Sequence, residues 1–448
     1  MNEMSASLFG EPMLLHRINV GTTVVVDDAR GCARRRRRRR TRSIASVSCS
    51  TPPTPPPEPS ERVRGLENEG AYAVLASAKA LERRGAKVVH LEIGQPSYET
   101  PANVSRAGIA AIEGGATKYA AANGTEELRR AVADYVSRTR GTNVDANDVV
   151  IGPGAKPGLF LPTLAIVEPG DEVVYPDPGF PTYAAMVDVA GGRRVPVKLR
   201  EDGASFDMAA LEAAVNEKTK LIVINSPGNP TGGVMPREDV ERVAELAKKF
   251  NCYVLSDEIY SRLIYDVEDP EAIFSIISLD GMSERTILVD GFSKTYCMTG
   301  WRLGWAVCPP KIADRVKLLT VHSVGCVAAF TQAAGVEALT GPQDSVRIMR
   351  DEYRERRDFL VDALNAIPGV HCPKPAGAFY VFPDVSSFGV SSREIASILL
   401  NDAHVALLPG TDFGDNGEGK IRLSYVGGGV GELRDAVDRI ERALRALR

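Results

Sequence analysis

The sequence predicts an α/β fold built on a mostly parallel sheet flanked by helices. Two observations carry this. First, short runs rich in Val, Ile and Leu alternate with helical stretches between about residues 149 and 308. Second, several of these runs are apolar throughout and stop at Gly, Pro, Asn or Asp, as strands buried on both faces of a parallel sheet do.

The elements follow in order. ENEGAYAVLASAKALERRG (67–85) has apolar residues at helical spacing and a stop at Gly85. VVHLEIGQP (88–96) is strand-like until Gly-Gln-Pro punctuates it. GTEELRRAVADYVSRTRG (124–141) is predicted helical, with Thr125 as N-cap, Leu128 and Val132 on one face and Gly141 as terminator. DVVIGPG then leads into a short apolar helix from Pro157. DEVVYPDPG, GRRVPVKL, KLIVINSPGNPTG, NCYVLSDEIY, RTILVDGFSK and WRLGWAVC supply further strands. Helices such as REDVERVAELAKKF (237–250) cover the sheet. No internal repeat is visible.

Composition narrows the class. The chain has 448 residues, 44% hydrophobic and 25% charged, as a globular protein does. Net charge is −4 but unevenly spread: residues 61–448 hold 44 basic and 53 acidic residues, whereas the first 60 hold ten arginines against five acids. An acidic body argues against nucleic acid as its partner. Seven cysteines (32, 49, 252, 297, 308, 326 and 372) form no C-x-x-C pair and read as free thiols. Five scattered histidines lack metal-ligand spacing, so no metal site is expected. No apolar stretch is long enough to span a membrane.

The head reads differently. RGCARRRRRRRTRSIASVSCSTPPTPPPE (30–58) is rich in Arg, Ser and Pro and holds no acid before Glu58. An organellar transit peptide has this composition. Plastid is favoured over mitochondrion because no clear amphipathic helix is present. A plain disordered tail and a nuclear-localisation cluster at Arg34–Arg40 are the other readings.

Chemistry concentrates at strand ends, where open α/β sheets bind ligands. NSPGNPTGG (225–233), SDEIY (256–260), GFSKTYCMTGWRLG (291–304) and RLSY (422–425) occur in this order. Together they resemble the class I/II aminotransferases of pyridoxal-phosphate fold type I, of the aspartate aminotransferase kind, over nearly all of residues 61–448.

That resemblance implies a set of roles. Lys294, one of only fourteen lysines, would hold the cofactor's aldehyde as a Schiff base and shuttle the substrate proton. Arg302 resembles the phosphate-clamping arginine. Asp257 would keep the cofactor's ring nitrogen protonated, and Tyr260 and Asn229 would hydrogen-bond its phenolic oxygen. Ala155 and Lys156, in IGPGAKPG, fall where main-chain N–H groups meet the phosphate at a helix N-terminus. Phe180 would stack on the ring, and Tyr119 would reach a partner's phosphate across a dimer interface. Arg422 would grip the substrate carboxylate, and Gly94 would let the substrate approach the backbone.

Two positions depart from the pattern. Gly291 stands where many relatives have serine, leaving Ser293 as an alternative donor. Cys297 stands where a smaller or less reactive residue is usual, which makes it a candidate for thiol inactivation.

The resemblance further implies a homodimer and a seven-stranded sheet in the larger domain. It suggests a presequence (1–60), an N-terminal arm (61–103), a large cofactor domain (104–340) and a small α+β domain (341–448, with part of the arm). The expected activity is transfer of an amino group from an L-amino acid (aspartate, aromatic or alanine-like) to a 2-oxo acid such as 2-oxoglutarate. A C–S β-lyase or aminocyclopropane-carboxylate synthase-like enzyme would use the same groups. A non-enzymatic regulator would need a DNA-binding domain for which the first sixty residues have no room. A dicarboxylate substrate would need a second cation, with Arg62, Arg64 and Lys156 as candidates.

Overall fold

Among the described residues there are twelve strands: β1 (Val89–His90), β2 (Val149–Gly152), β3 (Glu172–Asp177), β4 (Arg193–Lys198), β5 (Thr219–Asn225), β6 (Tyr253–Asp257), β7 (Thr286–Gly291), β8 (Gly304–Val307), β9 (Tyr380–Val381), β10 (Val405–Ala406), β11 (Leu408–Pro409) and β12 (Ile421–Ser424). They come from a computed structural model that describes residues 57–66, 69–267, 269 and 273–448. The basic cluster and the rest of the head before residue 57 lie outside the described residues.

Seven strands form one sheet in the order β2-β8-β7-β6-β5-β3-β4. Only β8 runs against its neighbours; β3, β4, β5, β6 and β7 pair in parallel. The apolar runs explain the placement: Leu221, Ile222 and Val223 of β5 and Val254 and Leu255 of β6 are fully buried between two helical layers. Each such side chain contributes roughly 1.5–3 kcal/mol by leaving water. The helix Arg237–Lys249 turns Val240, Val243, Ala244, Leu246 and Ala247 inward, as its periodicity predicts. The helix Glu126–Arg140 starts where Thr125 accepts a bond from the Leu128 N–H, and ends at Gly141 in the left-handed region.

A second core gathers both ends of the chain. β1 pairs in parallel with β10, and β12 lies between β11 and β9 in an antiparallel trio. The helices Asp344–Asn365, Ser392–Asn401 and Val430–Arg445 pack around them.

Two expected elements are shorter than the sequence suggests. The first long helix is Gly70–Glu82. The strand expected over 88–96 is paired only at Val89 and His90. Beyond it the backbone is used by other partners: the Leu91 carbonyl accepts from Ser424, and the Glu92 carbonyl accepts from the Arg422 side chain.

Candidate active site

Register brings the strand-end motifs together. Asn225, last in β5, lies opposite Asp257, last in β6. β7 ends at Gly291, and the next turn of helix, Phe292–Thr295, carries Lys294. Asp257 is 5% exposed; its Oδ2 accepts from Tyr183 Oη at 2.8 Å and its Oδ1 from the Ile259 N–H at 3.3 Å. Burial pushes this carboxyl up to about 6, against the Tyr183 bond that lowers it. An acid so placed is ready to pair with a cationic ligand group.

Lys294 is half-buried, and its Nζ donates to the Gly94 carbonyl at 2.6 Å. The same nitrogen lies 5.8 Å from the centre of the Phe379 ring and 6.0 Å from that of Tyr260. Burial, helped by the cations Arg422 and Arg302, lowers its pKa to about 8. About a tenth of the amine is then free at pH 7, far more than at an ordinary lysine. Tyr260 is buried with its hydroxyl 2.8 Å from that of Tyr380. Position 94 must be glycine, since a Cβ there would lie 1.9 Å from the Tyr380 hydroxyl.

A cradle opens beside Lys294. Gly152–Lys156 turns into the helix Lys156–Ile166, whose first N–H groups, around Ala155 and Lys156, lack helical acceptors. Gly154 has φ +89°, and a Cβ on it would sit 2.4 Å from Arg302 Nη2. Arg302 is exposed, donates to the Thr299 and Pro153 carbonyls, and so faces this turn. The donor set suits a phosphate. Ser293 is buried. A Cβ at Gly291 would meet Gly304 Cα at 3.1 Å, which leaves little room there for the serine of other family members.

Arg422, 4% exposed, lies 4.4 Å from the Tyr380 ring centre and 4.9 Å from that of Phe413. Its Nη1 donates to Asn229 Oδ1 at 3.0 Å and its Nη2 to the Glu92 carbonyl, while Nε is buried without a partner. Asn229 is fixed in turn by its own N–H, which donates to Asn225 Oδ1 at 2.8 Å. Phe180 packs edge-on against Tyr183. Lys156 Nζ sits 5.6 Å over the Phe180 ring and pairs with Glu69.

Other expected positions fall elsewhere. Tyr119 is 99% exposed and makes none of these contacts. Arg62 and Arg64 lie exposed on the single turn Glu61–Arg64, where Arg64 donates to the Pro59 carbonyl. Cys297 is half-buried; its sulfur packs 3.3 Å from that of Met349, and burial pushes its thiol up to about 12. The five described cysteines are free, and the described residues hold no cluster of three or more His, Cys, Asp or Glu suited to a metal. No described helix is long and apolar enough to cross a membrane.

The profile of the family "aminotransferase class I and II" matches residues 86–440. The chain belongs to the class I/II aminotransferases.

It is accordingly a transaminase, with relatives of several specificities. An aspartate aminotransferase of Pyrococcus horikoshii is 40% identical over 360 residues, covering 80% of this chain and 90% of that one. Among solved structures, the aromatic aminotransferase of Pyrococcus horikoshii superposes with TM-score 0.78 at 36% identity, covering 83% of this chain and all of the other. The aspartate aminotransferase of Thermus thermophilus with maleate gives 0.81 at 37%, covering 86% of this chain and all of that one. The mostly parallel sheet expected from the strand pattern, and the aminotransferase fold implied by the motif resemblance, are therefore present.

Sequence reasoning missed Tyr183, Tyr380 and Phe413. Tyr183 had a signal, a tyrosine in PGFPTY three residues beyond Phe180. Tyr380 and Phe413 lie in GAFYVF and GTDFG and read as ordinary core aromatics.

Proposed function

We propose that this aminotransferase binds pyridoxal phosphate on Lys294 and transfers amino groups from acidic or aromatic L-amino acids to a 2-oxo acid such as 2-oxoglutarate. The observation that carries the reading is the Lys294 amine, half-buried and near neutrality between the buried Asp257 carboxylate and the Arg422 guanidinium.

The residues fit the cofactor. The turn at Gly154 and the Arg302 guanidinium would hold its phosphate, and Asp257 would pair with its ring nitrogen. Phe180 offers a flat apolar face to the ring. Because Asn229 Oδ1 already accepts from Arg422, its Nδ2 is left to donate to the ring oxygen, beside the Tyr260 hydroxyl. When bound, pyridoxal phosphate supplies a carbon that accepts nitrogen and a ring that stores an electron pair.

The chain's own groups then divide the work. Arg422 Nε, unpartnered and buried, together with a terminal nitrogen, grips the substrate α-carboxylate and orients Cα toward Lys294. Lys294 Nζ would take the proton from Cα and return it on the far side of the transferred nitrogen, two atoms away. Gly94, whose carbonyl Lys294 now contacts, keeps that approach open. Lys156, over the Phe180 ring, is the cation best sited for a distal carboxylate, with Glu69 displaced. The maleate complex of the Thermus relative supports an acidic substrate, and the Pyrococcus relative an aromatic one.

The test is an absorbance spectrum of the purified chain, before and after aspartate, glutamate or an aromatic amino acid without any oxo acid. Conversion from the aldehyde to the amine form of the cofactor supports the reading. Release of pyruvate and ammonia with the aldehyde form regenerated marks a lyase instead. A chain with no cofactor band sinks the assignment of Lys294.

Three further readings belong here. The division into arm (61–103), large domain (104–340) and small domain (341–448) is supported by the pairing of β1 with β10. A homodimer, with Tyr119 reaching the partner's phosphate, is supported by exposed Ile109, Ile112, Leu318 and Val321; light scattering of the holoenzyme tests it. Plastid import by residues 1–60 rests on composition alone. A fusion of that segment to a fluorescent protein, followed in plant cells, checks it.

A further inference from the structure

Behind the strand ends lies a buried charged cluster that the mechanism above does not use. Arg140, the last residue of the helix Glu126–Arg140, has a side chain with no exposure. Its Nε meets Glu258 Oε2 at 3.1 Å, its Nη2 meets Asp290 Oδ2 at 2.8 Å, and its Nη1 donates to Thr139 Oγ at 2.8 Å. The Tyr135 ring, on the same helix, lies 5.1 Å from the guanidinium. Glu258 Oε1 accepts from Ser256 at 2.9 Å and from Ser275. Asp290 accepts from Ser261 at 2.9 Å and from the Gly291 N–H at 2.7 Å.

These positions adjoin the chemistry. Glu258 follows Asp257, Ser261 follows Tyr260, and Asp290 is the next-to-last residue of β7, just before the turn that bears Lys294. The Glu258 N–H also donates to the Val289 carbonyl. One guanidinium thus bridges the loop after β6 to the end of β7. It contacts both buried acids through separate nitrogens.

We propose that Arg140 is a positioning residue of the reaction: by joining Glu258 to Asp290 it locks the Asp257 and Lys294 backbones in register and neutralises the acids behind Asp257, so that Asp257 stays ionised toward the cofactor. The inference rests on the pyridoxal-phosphate reading given above. The groups acting on Asp257 are Tyr183 from the helix Thr182–Ala190, Glu258 beside it and Lys294 from across the β7 turn. Of these, the Glu258 charge raises the Asp257 pKa, and Arg140 is what offsets that charge. With Arg140 gone, Asp257 takes up its proton at higher pH and loses its hold on a protonated ring nitrogen.

The experiment titrates pyridoxal phosphate onto cofactor-free full-length chain between acid and alkaline pH, with binding read by fluorescence quenching. Arg140→Met should move the acid limb of binding upward by about one pH unit, about tenfold weaker binding on that limb. Arg140→Met combined with Glu258→Gln restores the cluster's net charge and should bring the limb back toward that of the parent. Arg140→Lys keeps the charge but cannot fork to both acids; it should lower the melting temperature and leave the limb in place. If the Met variant fails to fold, Glu258→Gln alone is the reporter: removing the charge that raises the Asp257 pKa should move the limb to lower pH, and a limb left in place overturns the proposal. An Arg140→Met limb identical to the parent's overturns the proposal, as does a double variant as shifted as the single one or a displaced Arg140→Lys limb. A parent chain that binds no pyridoxal phosphate would instead refute the cofactor reading, which keeps the two failures apart.

Discussion

The two walls of the active site are built by different means. On the sheet side, Asn225 and Asp257 end adjacent parallel strands and Lys294 sits on the helical turn after β7, so strand register frames their spacing. On the other side, Arg422 sits inside the four-residue strand β12, held by two aromatic rings, a backbone carbonyl and an asparagine. The sheet side is a lattice of main-chain bonds that costs much to distort. The arginine side is a set of weak contacts, each replaceable by contacts to a substrate carboxylate. A rigid cofactor floor and an adaptable substrate wall follow from that difference.

Substitutions on each wall should separate them. Lys294→Ala removes both anchor and proton carrier, so transamination should fall by at least about 10⁴-fold, measured as the half-reaction with a single amino acid. Arg422→Lys keeps the charge but loses the fork. The KM for amino acids should rise about 10- to 100-fold, with a smaller change in cofactor affinity passed on through the Asn229 bond. A parallel loss of cofactor affinity would show that the two walls are coupled.

Tyr183→Phe deletes the bond that lowers the Asp257 pKa. Cofactor retention should then fail at a pH above the value near 6 at which the parent begins to lose it, with affinity about 3- to 10-fold weaker at neutral pH. Asp257→Asn tests the same wall through stability. A carboxyl with a raised folded pKa opposes folding once pH exceeds its unfolded value, and fully so above about 6. The cofactor-free Asn variant should therefore be more stable than the parent at pH 8 by about 1–3 kcal/mol, with no gain at pH 3, in denaturant titrations. Smallest of all, the half-buried Cys297 thiol should react with iodoacetamide no faster in folded holoenzyme than the buried cysteines, and activity should survive the treatment.

The contrast also explains what could be read from the chain. Strand-end groups were legible because a buried apolar run closing in Asp or Asn is a local anomaly, as at Asp257 after CYVLS. Lys294 stood out for a similar reason, a lysine among small and apolar residues. The substrate wall was legible only as Arg422 itself. Tyr380, Phe413 and the Glu92 carbonyl act through a ring face or the main chain, and neither leaves a mark in residue type. The shortened β1 was illegible for the same reason, since its apolar pattern continues while Leu91 turns to the main chain of two different strands and the Glu92 carbonyl to the Arg422 side chain. The Arg140 cluster was hidden because an arginine in the last helical turn reads as a solvated partner of the helix dipole.

One contact of the N-terminal arm reaches the chemistry at a distance. Glu69 pairs with Lys156, and its charge raises the Lys294 pKa against the surrounding cations. Loss of that carboxylate would release Lys156 and lower the Lys294 pKa further, so a residue of the arm helps set the protonation of an amine on the sheet side.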